Sequence, residues 1–414
     1  MRVLVIGNGA REHAISWKFS RSKRITGIFV GPGNAGTEDF ATNVPDIDGT
    51  NSSKVINFCK QQAIDLVFVG PEVPLSLGLV DDLEQQGIKA VGPKKKAAQL
   101  ESSKAFSKQF MNNYGIPTAK AVVFTDETAF TNHLKKNPGK QVIKMSGLAA
   151  GKGVLESDSY AELLAFGLKG LSQGPILVEE FLEGYEISIF ALTDGKNYKL
   201  LPICTDYKKS KEGNTGSNTG GMGSICPVPW IPASLEEDII QKIVIPTFEG
   251  FDQENFQYKG IVYFGIMITE KGPYLLEYNV RFGDPEAQVL IPLIENDFCN
   301  LCEAIVEQSL DRYNLNISPK TAVCVVVASL GYPQEYKTNL PASLPDVLSS
   351  NQLIFHAGTF LENGTVYTNA GRCFSAVGLG NELLSARSVV YSLASRITFP
   401  GAWFRKDIGN RIFE

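Results

Sequence analysis

Within the first hundred residues short apolar runs alternate with amphipathic stretches, and each run breaks off in glycine or proline. Residues 3–6, 28–30, 66–69 and 89–91 read as strands, with helical patterns over 12–19, 54–62 and 77–86 between them. Strands alternating with helices need crossover connections, so the segment is restricted to a parallel, doubly wound sheet whose functional edge lies at the strand C-termini. The endings Gly7-Asn8-Gly9, Gly31-Pro32-Gly33-Asn34, Gly70-Pro71-Glu72 and Gly92-Pro93 would share that edge and build a crevice lined by backbone N–H groups.

Such a crevice invites a dinucleotide reading, which the residues do not support. Gly7-Asn8-Gly9-Ala10-Arg11-Glu12 has two of the three fingerprint glycines, and Glu12 stands where the third belongs. The next strand ends without the acidic residue that would hold an adenosine ribose. What survives is a helix N-terminus suited to a phosphate or another anion, or simply a tight turn that needs glycine.

The chain has 414 residues, more than one core usually serves, so two or three domains are expected. From residue 101 to about 315 the pattern changes. A helix over 104–114 is followed by strands at 142–145, 176–181, 186–192, 200–204, 260–269 and 274–279, and a helix begins near Pro285. Residues 206–229 are rich in Gly, Ser, Asn and Lys without a period and read as a long loop. A last unit starts near residue 319, with a strand over 322–329, glycine-bounded strands, and a helix over 382–396.

With 39 basic against 44 acidic side chains, net −5, the chain has no basic excess to coat nucleic acid. Its longest later apolar run, 322–330, falls short of a bilayer span, and the start lacks a secretory pattern, so a soluble, cytoplasmic protein is expected with no nucleic-acid or membrane partner. Seven cysteines fit a reducing compartment, and Cys299 and Cys302 read as buried helix residues rather than a metal pair. Three histidines make a histidine-built metal site improbable.

Five stretches carry chemistry besides structure. In Lys144-Met145-Ser146-Gly147-Leu148-Ala149-Ala150-Gly151-Lys152-Gly153 a strand-end lysine precedes small residues able to wrap a polyphosphate, although the spacing is not that of a P-loop. Glu179-Glu180-Phe181-Leu182-Glu183-Gly184-Tyr185-Glu186 reads as two strands joined by a turn, a charged hairpin that could also hold adenine and ribose. Glu277, Asn279 and Arg281 alternate along one strand and so share a face. Oxygen ligands and a guanidinium together suit a divalent cation and phosphate, or a structural ion-pair cluster. Asp206-Tyr207-Lys208-Lys209, leading to the glycines of 218–223, could hold a small zwitterion or form a solvated turn. The fifth is the Gly7–Gly9 turn itself.

Taken in order, these stretches resemble the ATP-grasp superfamily and, more closely, the glycinamide ribonucleotide synthetase family. The most specific blocks are Pro32-Gly33-Asn34-Ala35-Gly36-Thr37, Gly70-Pro71-Glu72, Gly147 to Gly153, 218–223, and Arg281-Phe282-Gly283-Asp284-Pro285-Glu286. The resemblance implies a multidomain α/β and α+β protein. Residues 1–103 would be a doubly wound pre-ATP-grasp domain, 104–318 an ATP-grasp domain with a mobile lid at about 118–190, and 319–414 a small α+β domain. It implies a ligase that phosphorylates glycine with ATP and Mg²⁺ (or Mn²⁺) and couples it to 5-phosphoribosylamine, acting as a monomer or weak homodimer. Lys104, Lys144, Gly147, Gly151, Lys152 and Gly153 would then hold phosphates. Glu179, Glu180, Phe181 and Leu182 would hold adenine, Glu186 the ribose, and Glu277 and Asn279 the metal. Arg281, Lys144 and Asp206 would serve catalysis, and Gly9, Asn34, Glu72, Asp206, Arg281 and Gly283 the substrates. Met145-Ser146, Tyr207, Lys209 and Ser217 depart from the family's usual residues, but Lys144, Glu277, Asn279 and Arg281 do not. Two other readings are an ATP-grasp carboxylase of an aminoimidazole nucleotide and a nucleotide-binding protein without catalysis.

Overall fold

A computed structural model describes residues 1–147 and 153–410. The chain begins β1 (Arg2–Gly7), α1 (Ala10–Ser20), β2 (Gly27–Pro32), β3 (Thr42–Asn43), α2 (Ser52–Gln61), β4 (Leu66–Val69), α3 (Glu72–Leu77), α4 (Leu79–Gln85) and β5 (Lys89–Val91). Its strands form one parallel sheet in the order β3-β2-β1-β4-β5. Leu4 and Ile6 of β1 enter one hydrophobic cluster while Val3 and Val5 enter another, so both faces of the strand are covered. Each such fully buried aliphatic side chain stabilises the fold by roughly 1.5–3 kcal/mol. The helix expected over 77–86 is α4, and α3 before it was not expected; Gly78, at φ +97°, turns the chain between them. Pro74 sits in the first turn of α3, where its missing N–H costs no helical bond.

Next come α5 (Lys95–Ser102), α6 (Lys104–Asn113), β6 (Ala121–Phe124), α7 (Glu127–Lys136), β7 (Gln141–Met145), β8 (Val154–Ser157), α8 (Tyr160–Leu171), β9 (Ile176–Glu180), β10 (Tyr185–Thr193) and β11 (Tyr198–Leu200). Here the expected hairpin at 182–184 is corrected. β9 belongs to a small sheet, β6-β9-β7-β8, whereas β10 pairs antiparallel with β16 (Gly260–Thr269) in a second sheet, β11-β10-β16-β17, where β17 is Gly272–Asn279. The four residues between them cross from one sheet to the other. Gly184 leaves no room for a side chain, since a Cβ there would lie 2.0 Å from the Ile268 carbonyl oxygen. The small sheet, with α7 and α8, has its own core of Phe124, Phe130, Leu134, Ile143, Leu163, Ile176 and Val178.

The strand expected over 200–204 ends at Leu200, because Pro202 lacks an N–H to continue a ladder. The long loop expected over 206–229 is also corrected. It contains β12 (Thr205–Asp206), the hairpin β13 (Lys209–Lys211) and β14 (Thr215–Asn218), and β15 (Gly223–Cys226). β15 is buried along its length, so it shows no alternation of polar and apolar residues. A Cβ on Gly223 would meet the Cys324 carbonyl oxygen at 2.6 Å, which accounts for glycine where sequence alone suggests flexibility.

α9 (Ala233–Ile239) and α10 (Ile245–Gln253) flank the second sheet, and α11 (Ala287–Leu293) and α12 (Phe298–Val306) follow β17. Cys299 and Cys302 are buried and unpaired on α12, as expected. The last part comprises β18 (Thr321–Ser329), β19 (Pro341–Ala342), β20 (Gln352–His356), β21 (Thr359–Glu362), β22 (Thr365–Thr368), β23 (Arg372–Gly380), α13 (Leu383–Ala394) and β24 (Ala402–Trp403). Its main sheet, β12-β15-β18-β23-β20, takes two strands from the middle of the chain. Among the described residues no helix is long and apolar enough to cross a membrane.

Candidate active site

A cleft of about 590 Å³ opens between the small sheet, the second sheet and the C-terminal edge of the first. From α6 comes Lys104, whose Nζ donates to the Gly147 carbonyl at 3.0 Å. From β7 comes Lys144, whose Nζ lies 2.7 Å from Glu179 Oε2 and donates to the Leu276 carbonyl at 3.1 Å. β9 and the crossing segment line the wall with Glu179, Glu180, Phe181 and Leu182, and β10 adds Glu186.

β17 supplies the floor. Glu277 and Asn279 both line the cleft with Arg281 just beyond the strand, as their alternation requires. Burial would raise the Glu277 carboxyl, but Lys208, Lys144, Lys104 and Arg281 hold it below the ordinary glutamate value. The strand therefore presents an anion inside a ring of cations. Asn279 Oδ1 accepts only a long bond from Arg281, at 3.4 Å. Among the described residues no three His, Cys, Asp or Glu side chains converge as a metal cage. A cation that shares phosphate oxygens needs only such a partial set, so Glu277 and Asn279 fit a divalent ion carried in with a polyphosphate.

Arg281 is gripped by carboxylates from elsewhere. Glu101, at the end of α5, reaches its Nη2 at 2.7 Å and accepts the Val280 N–H at 2.7 Å, while Glu72 lies 3.4 Å from its Nε. That Nε makes no well-aligned hydrogen bond, so Glu72 holds it through charge alone.

At the other end an acidic group gathers. Asp206 Oδ1 is buried without a partner, and burial together with Glu286 pushes this carboxyl well above its ordinary value. Glu286 is likewise raised by burial and accepts from Ser188 Oγ at 3.0 Å. For Lys208 burial works against the charge, yet Glu186, Tyr263, Glu277 and Asp206 carry it well above the usual lysine value, and its Nζ lies 2.6 Å from Glu186 Oε2. Arg372, from β23, binds the Gly220 and Asp284 carbonyls at 2.6 and 2.9 Å and holds the Asp284 carboxylate at 3.3 Å.

The first sheet contributes side chains rather than the backbone crevice its sequence suggested. The N–H groups of Gly33, Gly70 and Gly92 are spent on the Gly7, Ile6 and Lys259 carbonyls. The anion at the start of α1 is the protein's own: Glu12 Oε2 accepts the Gly9 N–H at 2.8 Å. A Cβ at Gly7 or Gly70 would strike Glu12 at 2.4 or 2.3 Å, so these glycines make room for that carboxylate at the point where the strand order reverses. Arg11 and Glu72 are what this sheet turns toward the cleft.

Lys104, Lys144, Gly147, Gly153, Glu179, Glu180, Phe181, Leu182, Glu186, Glu72, Asp206, Glu277, Asn279, Arg281 and Gly283 thus line one cleft. Gly9 stands at its margin, where a Cβ would lie 3.3 Å from Asp284. Asn34 is not among the lining residues. It is buried, with Nδ2 on the Asn8 and His356 carbonyls and Oδ1 on the Gly36 and Thr37 N–H groups, so it shapes the loop and offers nothing to a ligand. Gly151 and Lys152 lie outside the described residues. The departure at Tyr207 points away from the cleft, its hydroxyl accepting the Gly409 N–H at 3.0 Å.

Sequence reasoning missed Glu101, Lys108 and Arg372 as site residues and gave Lys208, Asp284 and Glu286 no role beyond membership of their stretches, although all line the cleft. Lys108 falls one helical turn after Lys104, a periodic signal that could have found it. Arg372 arrives from a distant strand and had no local signal.

The family described as phosphoribosylglycinamide synthetase matches in three parts: its N domain over residues 1–101, its ATP-grasp (A) domain over 102–287 and its C domain over 322–411. A phosphoribosylamine–glycine ligase of Caldanaerobacter subterraneus is 42% identical over 416 residues, covering 99% of each chain. The phosphoribosylamine–glycine ligase crystal structure from Thermotoga maritima, 35% identical, superposes with a TM-score of 0.85 over 99% of this chain and 100% of that one. The biotin carboxylase domain of the Hydrogenobacter thermophilus 2-oxoglutarate carboxylase, solved with MgADP, ADP and bicarbonate, has the same fold at 16% identity and a TM-score of 0.73, over 97% of this chain and 91% of that one.

Proposed function

Because the chain belongs to the phosphoribosylglycinamide synthetase family, we propose that its central cleft activates glycine with ATP and hands the acyl group to 5-phosphoribosylamine. The protein is a ligase that forms glycinamide ribonucleotide in purine biosynthesis, and it uses ATP and a divalent metal. The observation that carries the residue assignments is the convergence of Lys104, Lys144, Glu277, Asn279 and Arg281 on one cleft.

In this reading Glu180, Phe181 and Leu182 flank adenine and Glu186 the ribose. Lys104 and Lys144 neutralise phosphates, and Gly147, Gly151, Lys152 and Gly153 are the further residues proposed to contact them. Glu277 and Asn279 would hold the metal, Mg²⁺ or Mn²⁺, since both ions take hard oxygen donors. Bound there, the ion neutralises phosphate charge. A glycine carboxylate oxygen attacks the γ-phosphorus, the bond to the β,γ-bridging oxygen breaks, and ADP leaves. Arg281, held by Glu101 and Glu72, turns its guanidinium to the transferring group. The amine of 5-phosphoribosylamine then attacks the acyl carbon, the acyl C–O bond breaks, and phosphate departs with that oxygen. Asp206 takes the amine's proton as the carboxylate, which burial and Glu286 make more basic than an ordinary aspartate. Gly9, Glu72 and Gly283 border the substrates.

We place the domains at 1–103, 104–318 and 319–414 with a lid at about 118–190. Support comes from the three matched spans and from the separate core of the small sheet, though Tyr185–Thr193 pairs with the second sheet. A closing lid shields the acyl phosphate from water. A cytoplasmic monomer or weak homodimer fits a chain that holds every proposed group itself.

Isotope transfer tests the route. Glycine labelled with ¹⁸O in its carboxylate is expected to deliver label to the released phosphate, and unlabelled phosphate contradicts an acyl phosphate.

A further inference from the structure

Lys104 and Lys108 lie one turn apart on α6 and do different work. Lys104 faces the cleft floor, while Lys108 turns to the base of the small sheet. There its Nζ lies 2.8 Å from Glu179 Oε1 and donates to Thr118 Oγ1 at 2.7 Å and the Ala119 carbonyl at 3.1 Å. Glu179 spends its other oxygen on Lys144, at 2.7 Å. Lys108 and Glu179 are 6% and 3% exposed, so neither charge is screened by water.

The count of charges matters. Glu179 and Lys144 alone would cancel, leaving a neutral pair at the place where a polyphosphate must be met. With Lys108 the triad carries one net positive charge, and the carboxylate's second oxygen is fixed from behind. Burial opposes ionisation of Glu179, and Lys144 and Lys108 overcome it, holding the carboxyl below its usual value. Lys108 is itself lowered by burial, but Glu179 opposes that effect.

We propose that Lys108 and Glu179 are positioning residues for the nucleotide: Glu179 fixes the Lys144 ammonium at the end of β7, and Lys108 supplies the counter-charge that leaves it free for phosphate. The proposal rests on the nucleotide reading of the cleft, and two sets of variants separate them.

Calorimetric titration of the full chain with Mg-ADP is the measurement. Lys144→Met tests the cleft itself, and wild-type affinity in that variant overturns the nucleotide reading. Lys108→Met, confirmed folded by its melting curve, is expected to weaken Mg-ADP binding and raise the KM for ATP about tenfold, the worth of one charge-assisted contact. The KM for glycine stays within about twofold, and Lys108→Arg recovers most of the loss because it keeps the charge. A folded Lys108→Met with wild-type affinity, while Lys144→Met has lost it, overturns the positioning role alone. If Lys108→Met does not fold, the double variant Lys108→Met with Glu179→Gln leaves no unpaired buried ion, and folding with weakened Mg-ADP binding supports the proposal. Wild-type affinity in the double variant, or failure of both to fold, makes the pair a structural clamp and overturns it.

Discussion

Glu277 shows how much one side chain carries. It is held ionised by four cations and makes no hydrogen bond to the described residues, an arrangement that costs stability unless a ligand uses it. Glu277→Gln keeps the shape and removes the charge. We expect kcat to fall by about 10²–10³-fold, the scale of a lost electrostatic contact in a dry site, with the melting temperature unchanged or raised. Steady-state kinetics beside a melting curve check both. The alternation of Glu277, Asn279 and Arg281 made this face legible from sequence, because strand geometry fixes which side chains agree. Glu101 was not legible: its pairing with Arg281 spans 180 positions and depends on where α5 ends.

His356 titrates within an inter-element contact. It lies on β20 against α1, where its N–H donates to His13 Nδ1 at 2.9 Å, and burial pushes its pKa down to about 4. An unfolded histidine titrates near ~6.5. Between those values the unfolded chain binds a proton that the folded chain refuses, so stability is fully present above about 6.5 and falls as pH drops toward 4. His13 is lowered in the same direction by burial and by His356. At pH 5.5 His356 contributes about 1 kcal/mol of this loss, and His356→Gln should flatten the pH dependence of the melting temperature.

At the scale of elements, the small sheet stands apart energetically. Phe130 is fully buried in its private core, and a Cβ on Gly167 of α8 would meet the Phe130 ring at 2.1 Å. Phe130→Ala opens a cavity worth about 3–5 kcal/mol. Because that core is separate, hydrogen exchange should quicken across 121–180 and stay unchanged over β1, β4 and β18; uniform loss of protection would contradict the separation. Sequence located β7 and β9, missed β6 and β8, and joined β9 to β10 as a hairpin. Apolar period marks a strand but not the sheet it joins, and that choice was made by Gly184 packing against a carbonyl. β15 escaped for a related reason, since a strand buried on both faces has no alternation to read.

Across the whole molecule, the cleft is a meeting of distant segments: Arg11 and Glu72 from the first sheet, Lys144 from the small one, Glu277 from the second and Arg372 from the last. The doubly wound beginning was legible because alternation restricts it so tightly. The misreading there was chemical: Gly7 and Gly70 make room for Glu12, not for an outside anion. The most direct test of the account is a crystal structure of the full chain with Mg²⁺ and a non-hydrolysable ATP analogue. The account predicts the triphosphate against Lys144 and Lys104, with the metal on Glu277 and Asn279 and the γ-phosphate within reach of Arg281. A triphosphate bound at the N-terminal end of α1, or anywhere else away from Lys144 and Glu277, would contradict it.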